Sequence, residues 1–196
     1  MVGDKQGEVL VVGAGPVGLT LALALTQLGI PCRIIDKLLE PTDQSRAAGI
    51  HARTIELLQM LGVSQDIIQQ GNKATGISMY SNSRRIAHID YTQVKSPFPY
   101  AILLPQVHTE KILTDHLNQL GVSVERGKEL VKLSQNAESV DATLQNEKGQ
   151  TEDCRVSYVV GCDGAHSAVG HQLQLSFLGE TLNEGWIFGD VDADCE

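Results

Sequence analysis

The 196-residue sequence has no run of basic residues, no C-x-x-C pair, no H-E-x-x-H or comparable histidine spacing, and no internal repeat or low-complexity tract. Each absence removes a class of function. A net charge of −9 with no basic patch argues against nucleic acid or an anionic membrane surface as the main partner, since both are recognised by clustered Lys and Arg. Cys32, Cys154, Cys162 and Cys195 lie far apart and two of them sit inside apolar runs, so buried free thiols in a reducing cytoplasm are expected ahead of a disulfide or a zinc site. The six histidines offer no ligand spacing either, and no metal site is expected. Charge is also missing between Glu8 and Arg33. That stretch is nevertheless no signal or membrane span, because four glycines and two prolines break it and Lys5 is the only base before it. What remains is a globular chain long enough for one good core and a small second lobe, with a small ligand.

The uncharged stretch sits inside residues 9–36, VLVVGAGPVGLTLALALTQLGIPCRIID, around which the rest is organised. Residues 9–12 form a short apolar run that stops at Gly13, the pattern of a strand buried on both faces of a parallel sheet. Pro16 is suited to a first helical turn, and the helix is predicted to end near Leu28 with Gly29 as its left-handed cap. Residues 31–36 return as a second strand. Gly13, Gly15 and Gly18 fit G-x-G-x-x-G, with Ala14 and Pro16 between them, and each glycine has its own reason to lack a side chain: a tight turn, close approach of a pyrophosphate, and close helix-on-strand packing. The helix N-terminus then faces the phosphates. Asp36 lies about 20 residues on, where the fingerprint places an acid for the adenosine ribose. An acid there repels a 2′-phosphate, so the site is expected to hold FAD or NAD rather than NADP.

Beyond it, residues 37–49 read as a long functional loop with Arg46 as the cation best placed for phosphate. Helices are predicted over residues 51–61, 65–70 and 108–120, the last with His116 and Leu120 on its inner stripe and Glu110 in its first turn. Residues 77–80 and 86–91 read as a hairpin, with residues 96–105 as an extended segment that could pair with it. Strands are predicted over residues 122–126, 129–134, 139–145, 155–160 and 186–191. Asp163 falls at the carboxyl end of a buried strand, where ligands bind in open α/β sheets, although a helix-capping role would explain it equally well. The fold class expected is α/β, a Rossmann-like FAD/NAD(P)-binding fold with a βαβ unit and an antiparallel β-meander crossover, plus part of a small β-rich lobe.

Taken together, GAGPVG at residues 13–18, Asp36-Lys37, SRAAGIHARTIELLQMLG at 45–62, LPQVHTEKIL at 104–113 and GCDGAHSAV at 161–169 resemble the FAD-dependent aromatic hydroxylases of the p-hydroxybenzoate hydroxylase type. The resemblance implies a flavin monooxygenase in which NADPH or NADH is a transient reductant and one oxygen atom of O2 passes to an activated aromatic ring. It implies that Gly13, Ala14, Gly15, Pro16 and Gly18 hold the pyrophosphate and that Asp36, with Lys37 beside it, meets the ribose. Arg46 and Gln106 would contact the phosphate and ribityl region, Asp163 would lie near the pyrophosphate and the NADPH path, and the backbone at Val131 would meet the adenine. No catalytic side chain is identified.

Two departures from the family pattern stand out. Gly170 occupies the position of a family arginine, and most of the substrate lobe, a later Gly-Asp motif and the helix that closes over the flavin ring are absent. The expectation is therefore about half an active site, weakly active alone, with residues 1–74 and 106–172 forming the FAD-binding domain and 75–105 and 173–196 part of the substrate lobe. The partner is a small aromatic substrate, and a homo-oligomer or a completing chain are both compatible. The alternatives are a non-catalytic dinucleotide-binding module and an NAD-dependent dehydrogenase, the latter disfavoured by Gly15-Pro16 in the turn and by the second motif at Asp163.

Overall fold

The computed structural model describes residues 8–41, 49–176, 178, 179 and 185. The chain opens with strand β1 (Val9–Val12), helix α1 (Pro16–Gln27) and strand β2 (Cys32–Asp36), and β1 pairs with β2 in parallel with Val9 opposite Cys32 and Val12 opposite Ile35. This is the predicted βαβ unit. There follow β3 (Gly49–Ile50), α2 (Ala52–Met60), α3 (Ser64–Gln70), β4 (Asn72–Ala74), β5 (Gly76–Ser81), β6 (Arg84–Asp90) and β7 (Ala101–Leu103). The remainder is α4 (Gln106–Gln119), β8 (Val124–Arg126), β9 (Lys128–Gln135), β10 (Val140–Asn146), β11 (Thr151–Val156), β12 (Tyr158–Gly161) and α5 (Ala168–Gln172).

The central parallel sheet has the order β12-β1-β2-β8, and β9, β10 and β11 form an antiparallel meander. Strand β1 is apolar throughout because both of its faces are covered. Val9 and Val11 pack with Leu19, Ala22 and Leu23 of α1 and Ile112, Leu113 and Leu117 of α4, whereas Leu10 and Val12 pack with Leu130, Val140, Leu144 and Val156 of the meander. The result is three layers, helices on sheet on meander, in a Rossmann-like α/β fold.

Several boundaries differ from expectation for local reasons. The predicted strand 155–160 is two strands: the chain leaves the meander at Val156, Ser157 donates its amide to the Glu8 carbonyl, and β12 then joins β1 in parallel. Both halves are apolar, so periodicity alone could not show the change of sheet. Residues 101–103 pair with β3 and β4 rather than with the hairpin, whose two strands, among the described residues, pair with one another across Asn82 and Ser83, both at positive φ. Helix α4 begins two residues early, after Pro105, so Glu110 lies in its second turn and is buried. Leu120 is exposed, and His116 turns to bond Asp66 of α3 at 2.7 Å. Ser64 lies inside α3, with Val63 as the preceding cap. The predicted strand 186–191 and Cys195 lie outside the described residues. Cys32, Cys154 and Cys162 are free thiols; Cys154 is buried as expected, whereas Cys32 and Cys162 are only partly buried.

Sheet and meander are also joined by charge. Arg33 on β2 bonds Glu125 on β8 through two nitrogens at 2.7 and 2.9 Å and reaches Glu152 on β11 at 3.0 Å, while Lys128 bonds both carboxylates at 2.7 Å. The Arg33 guanidinium, through these hydrogen bonds, holds the Glu125 carboxyl down at about 2, and the same bonds raise Arg33. A carboxyl depressed in the folded state stabilises the fold above its unfolded pKa and loses that contribution as pH falls through the folded value. The chain is therefore expected to lose about 1–2 kcal/mol from this group between pH 4.5 and 2, discounted for partial solvent screening. Glu125→Gln should lack that component, so the stability gap between variant and parent, measured by urea denaturation, closes across this window.

Candidate functional site

The carboxyl end of β1 is where three backbone segments meet. Gly13 has φ +103°, and a Cβ on it would lie 2.5 Å from the Cys162 carbonyl oxygen and 2.8 Å from Asp163 Cα. Cys162 in turn donates its amide to the Val12 carbonyl at 2.7 Å, locking the turn after β12 onto the turn after β1. A Cβ on Gly18 would strike the Gly13 carbonyl oxygen, so α1 can lie this close to β1 only with glycine there. Gly15 is different. Nothing lies within 4 Å of its notional Cβ, although it sits between two positions with no room at all.

Helix α1 begins on that open side. Gly15 is its N-cap and offers no side chain to the first-turn amides, Pro16 fills the first helical position, and the first turn carries no acid. The first intrahelical bond of the turn is Leu19 N–H to Gly15 O at 3.0 Å, which leaves the earlier amides of Val17 and Gly18 without an intrahelical acceptor. Across from them stands Asp36. Its Oδ2 accepts the Ala14 amide at 2.7 Å and its Oδ1 the Leu38 amide at 2.8 Å, so the carboxylate is fixed against the glycine turn while each oxygen keeps a further lone pair. Open space over one glycine, an uncapped positive helix end and a clamped carboxylate on the neighbouring strand fit the ADP half of a dinucleotide.

The other predicted residues divide. Asp163 joins the site through its backbone, but its side chain is committed to α5: Oδ1 accepts from Ser167 Oγ at 2.6 Å and Oδ2 from the amides of Ala168 at 2.6 Å and Val169 at 3.3 Å. The capping role is the one seen. Gly170 sits in the five-residue α5, where Ser167 Oγ accepts its amide at 2.9 Å. Gln106, the first residue of α4, donates from Nε2 to the buried Glu110 at 2.7 Å, which orients it. Val131 is the extra residue of a β-bulge, since Leu130 pairs with Leu144 and Lys132 with Thr143, and its carbonyl accepts from Gln172 of α5 at 3.1 Å. Bulges of this kind re-aim backbone groups beside sites. Lys37 is exposed, and Arg46 lies outside the described residues.

Cys162 was not foreseen as part of the site. The signal was its place between a buried strand and Asp163-Gly164, opposite a glycine that permits backbone contact. Burial and the Asp163 charge push its thiol pKa up, which disfavours the thiolate. Two shallow concavities elsewhere, one over the outer meander face at Lys132, Asp141 and Arg155 and one between Val140, Tyr158 and Leu173, include no residue of the glycine turn.

A family model described as FAD binding domain matches residues 6–195. The chain is 34% identical over 191 residues to 6-methylpretetramide 4-monooxygenase of Streptomyces rimosus, covering 96% of this chain and 34% of that protein. It is also 34% identical over 185 residues to a rifampicin monooxygenase of Streptomyces venezuelae, covering 94% of this chain and 37% of that one. Among solved structures, p-nitrophenol 4-monooxygenase from Pseudomonas putida superposes with a TM-score of 0.84 at 27% identity, over 90% of this chain and 46% of that chain. The chain thus spans between about a third and a half of the length of these relatives.

The glycine geometry separates binding from folding. Gly15→Val is expected to lower apo-protein stability by no more than about 1 kcal/mol, the scale of an N-cap change, yet to remove dinucleotide binding. Gly18→Ala should cost at least about 2 kcal/mol by overpacking. Thermal melts paired with FAD titration check both.

Proposed function

Because the chain belongs to the FAD-binding-domain family of the FAD-dependent aromatic hydroxylases, with FAD as its cofactor, we propose that it is the FAD-holding portion of an NAD(P)H-dependent monooxygenase acting on phenolic or other aromatic substrates. The observation that carries this reading is the open space over Gly15 at an uncapped helix end facing Asp36.

When bound, FAD supplies the redox chemistry that links NAD(P)H oxidation to insertion of one oxygen atom from O2 into an aromatic ring. The protein's own groups grip and orient. Gly13, Ala14, Gly15, Pro16 and Gly18 receive the pyrophosphate, with the Val17 and Gly18 amides as donors, and Asp36 accepts the ribose hydroxyls, with Lys37 beside it. Arg46 and Gln106 hold the phosphate and ribityl region. Asp163 acts by positioning, since it caps α5 and thereby fixes the turn that presses on Gly13, and the Val131 bulge presents backbone to the adenine. Residues 1–74 and 106–172 form the FAD-binding unit, with 75–105 and 173–196 belonging to the substrate lobe; the β5–β6 hairpin, which among the described residues joins neither the central sheet nor the meander, supports this division. The free thiols of Cys32, Cys154 and Cys162 fit a cytoplasmic setting, and among the described residues no helix is long and apolar enough to cross a membrane.

Ring hydroxylation requires a dry enclosure around the reacting atoms. Residues 1–196 alone are therefore expected to consume NADPH slowly in the presence of FAD and to return hydrogen peroxide from O2 rather than hydroxylated phenol, measured together in one assay. Retained FAD with no NADPH consumption would mark a binding module, and stoichiometric hydroxylation would mean that the site is complete. Asp36→Ala should weaken FAD binding by about 1.5–3 kcal/mol for each charge-assisted hydrogen bond lost; unchanged affinity in titration calorimetry would remove Asp36 from the site.

A further inference from the structure

Strand β8 lies on the far side of β2 from β1, and in that register Asp36 stands opposite Arg126. Their side chains share a face of the sheet. Arg33 and Glu125 bond one another on the meander side, so the alternate residues Ile34, Asp36, Val124 and Arg126 turn to the helix side, where Ile34 and Val124 pack with α1 and α4. Arg126 is thus at the carboxyl end of a parallel strand, one strand beyond the predicted ribose acceptor.

Arg126 is only partly exposed and has no side-chain hydrogen bond, ion pair or ring contact among the described residues. Nearby cations behave otherwise. Arg33 and Lys128 are each held between the carboxylates of Glu125 and Glu152. Among the described residues, the Arg126 guanidinium is therefore left with donors to spare for a ligand.

The surroundings point to a flat apolar ligand. The Gly127 amide donates to the Leu38 carbonyl at 3.2 Å, and a Cβ at Gly127, where φ is +67°, would meet Leu39 Cδ2 at 2.8 Å, so the loop after β2 and the turn after β8 close on one another beside Arg126. Leu38 and Leu39 are nevertheless 46% and 59% exposed. A dinucleotide crosses strand ends outside their carboxyl termini. With about 4.8 Å between neighbouring strands, a pyrophosphate at β1 and a ribose at β2 bring the base to β8.

We propose that Arg126 is a cofactor-binding residue whose guanidinium lies against the adenine ring of FAD, with Leu38 and Leu39 as the apolar wall beside it. This deepens, and rests on, the FAD-binding reading above. Arginine suits the task because its planar, weakly hydrated cation stacks on aromatic faces, which lysine does not reproduce.

The test compares ADP with UDP, which differ only in the base, by titration calorimetry on the 196-residue chain. The unaltered chain is expected to prefer ADP. Arg126→Ala should lose about five- to twentyfold in ADP affinity, with a smaller loss for UDP, and Arg126→Lys should recover little of it. The apo-protein melt of Arg126→Ala should stay level or rise, since an unpaired cation is removed. Unchanged ADP affinity, equal losses for ADP and UDP, full recovery by lysine, or a lower melt would each overturn the proposal by showing the side chain to be idle, on ribose or phosphate, acting as a point charge, or structural. Failure of the unaltered chain to bind ADP at all would overturn the FAD-binding reading itself, and this inference with it.

Discussion

The backbone contact among Gly13, Gly18 and Cys162 is the constraint on which the arrangement depends. A β-carbon at Gly13 would overlap the Cys162 carbonyl, and one at Gly18 would overlap the Gly13 carbonyl. Because both are absent, α1 starts directly above β1 with its first-turn amides aimed past the strand end, and the turn after β12 seats against the same spot. Asp36 then clamps the turn from the neighbouring strand through the Ala14 amide. Gly15, the only one of these three glycines with open space before it, marks the side on which a ligand can approach so closely.

This arrangement is held from behind by burial on two sides. Alternate residues of β1 feed separate cores, one with the helices and one with the meander, so neither layer can shift without exposing half of the strand. The Arg33, Glu125, Lys128 and Glu152 network adds a polar tie between sheet and meander. Site and scaffold therefore share residues: β2 carries the tie at Arg33 and the site carboxylate at Asp36, three positions apart and so on opposite faces.

Much of this was legible in the sequence because the βαβ demands are local. A strand ended by glycine, a helix begun by proline and an acid closing the next strand read correctly at residues 9–36. What escaped depends on tertiary partners. The change of sheet at Ser157 leaves no mark on hydrophobic alternation, the pairing of β7 with β3 and β4 spans many residues, and the early start of α4 follows from Pro105 rather than from the apolar stripe. Asp163 was visible as a residue at a ligand-facing strand end, but only geometry shows its carboxylate spent on α5. The Val131 bulge arises from register with β10 and cannot be read from residue types.

The central claim is that the open face of the glycine turn receives the ADP half of FAD. It is tested most directly by following the backbone amide signals of the 15N-labelled chain in two-dimensional NMR as FAD is added. The account predicts the largest shifts at Ala14, Val17 and Gly18, with smaller ones at Asp36 and Asp163. Shifts confined to the outer meander face around Lys132 and Arg155, with the Val17 and Gly18 amides unmoved, would contradict it.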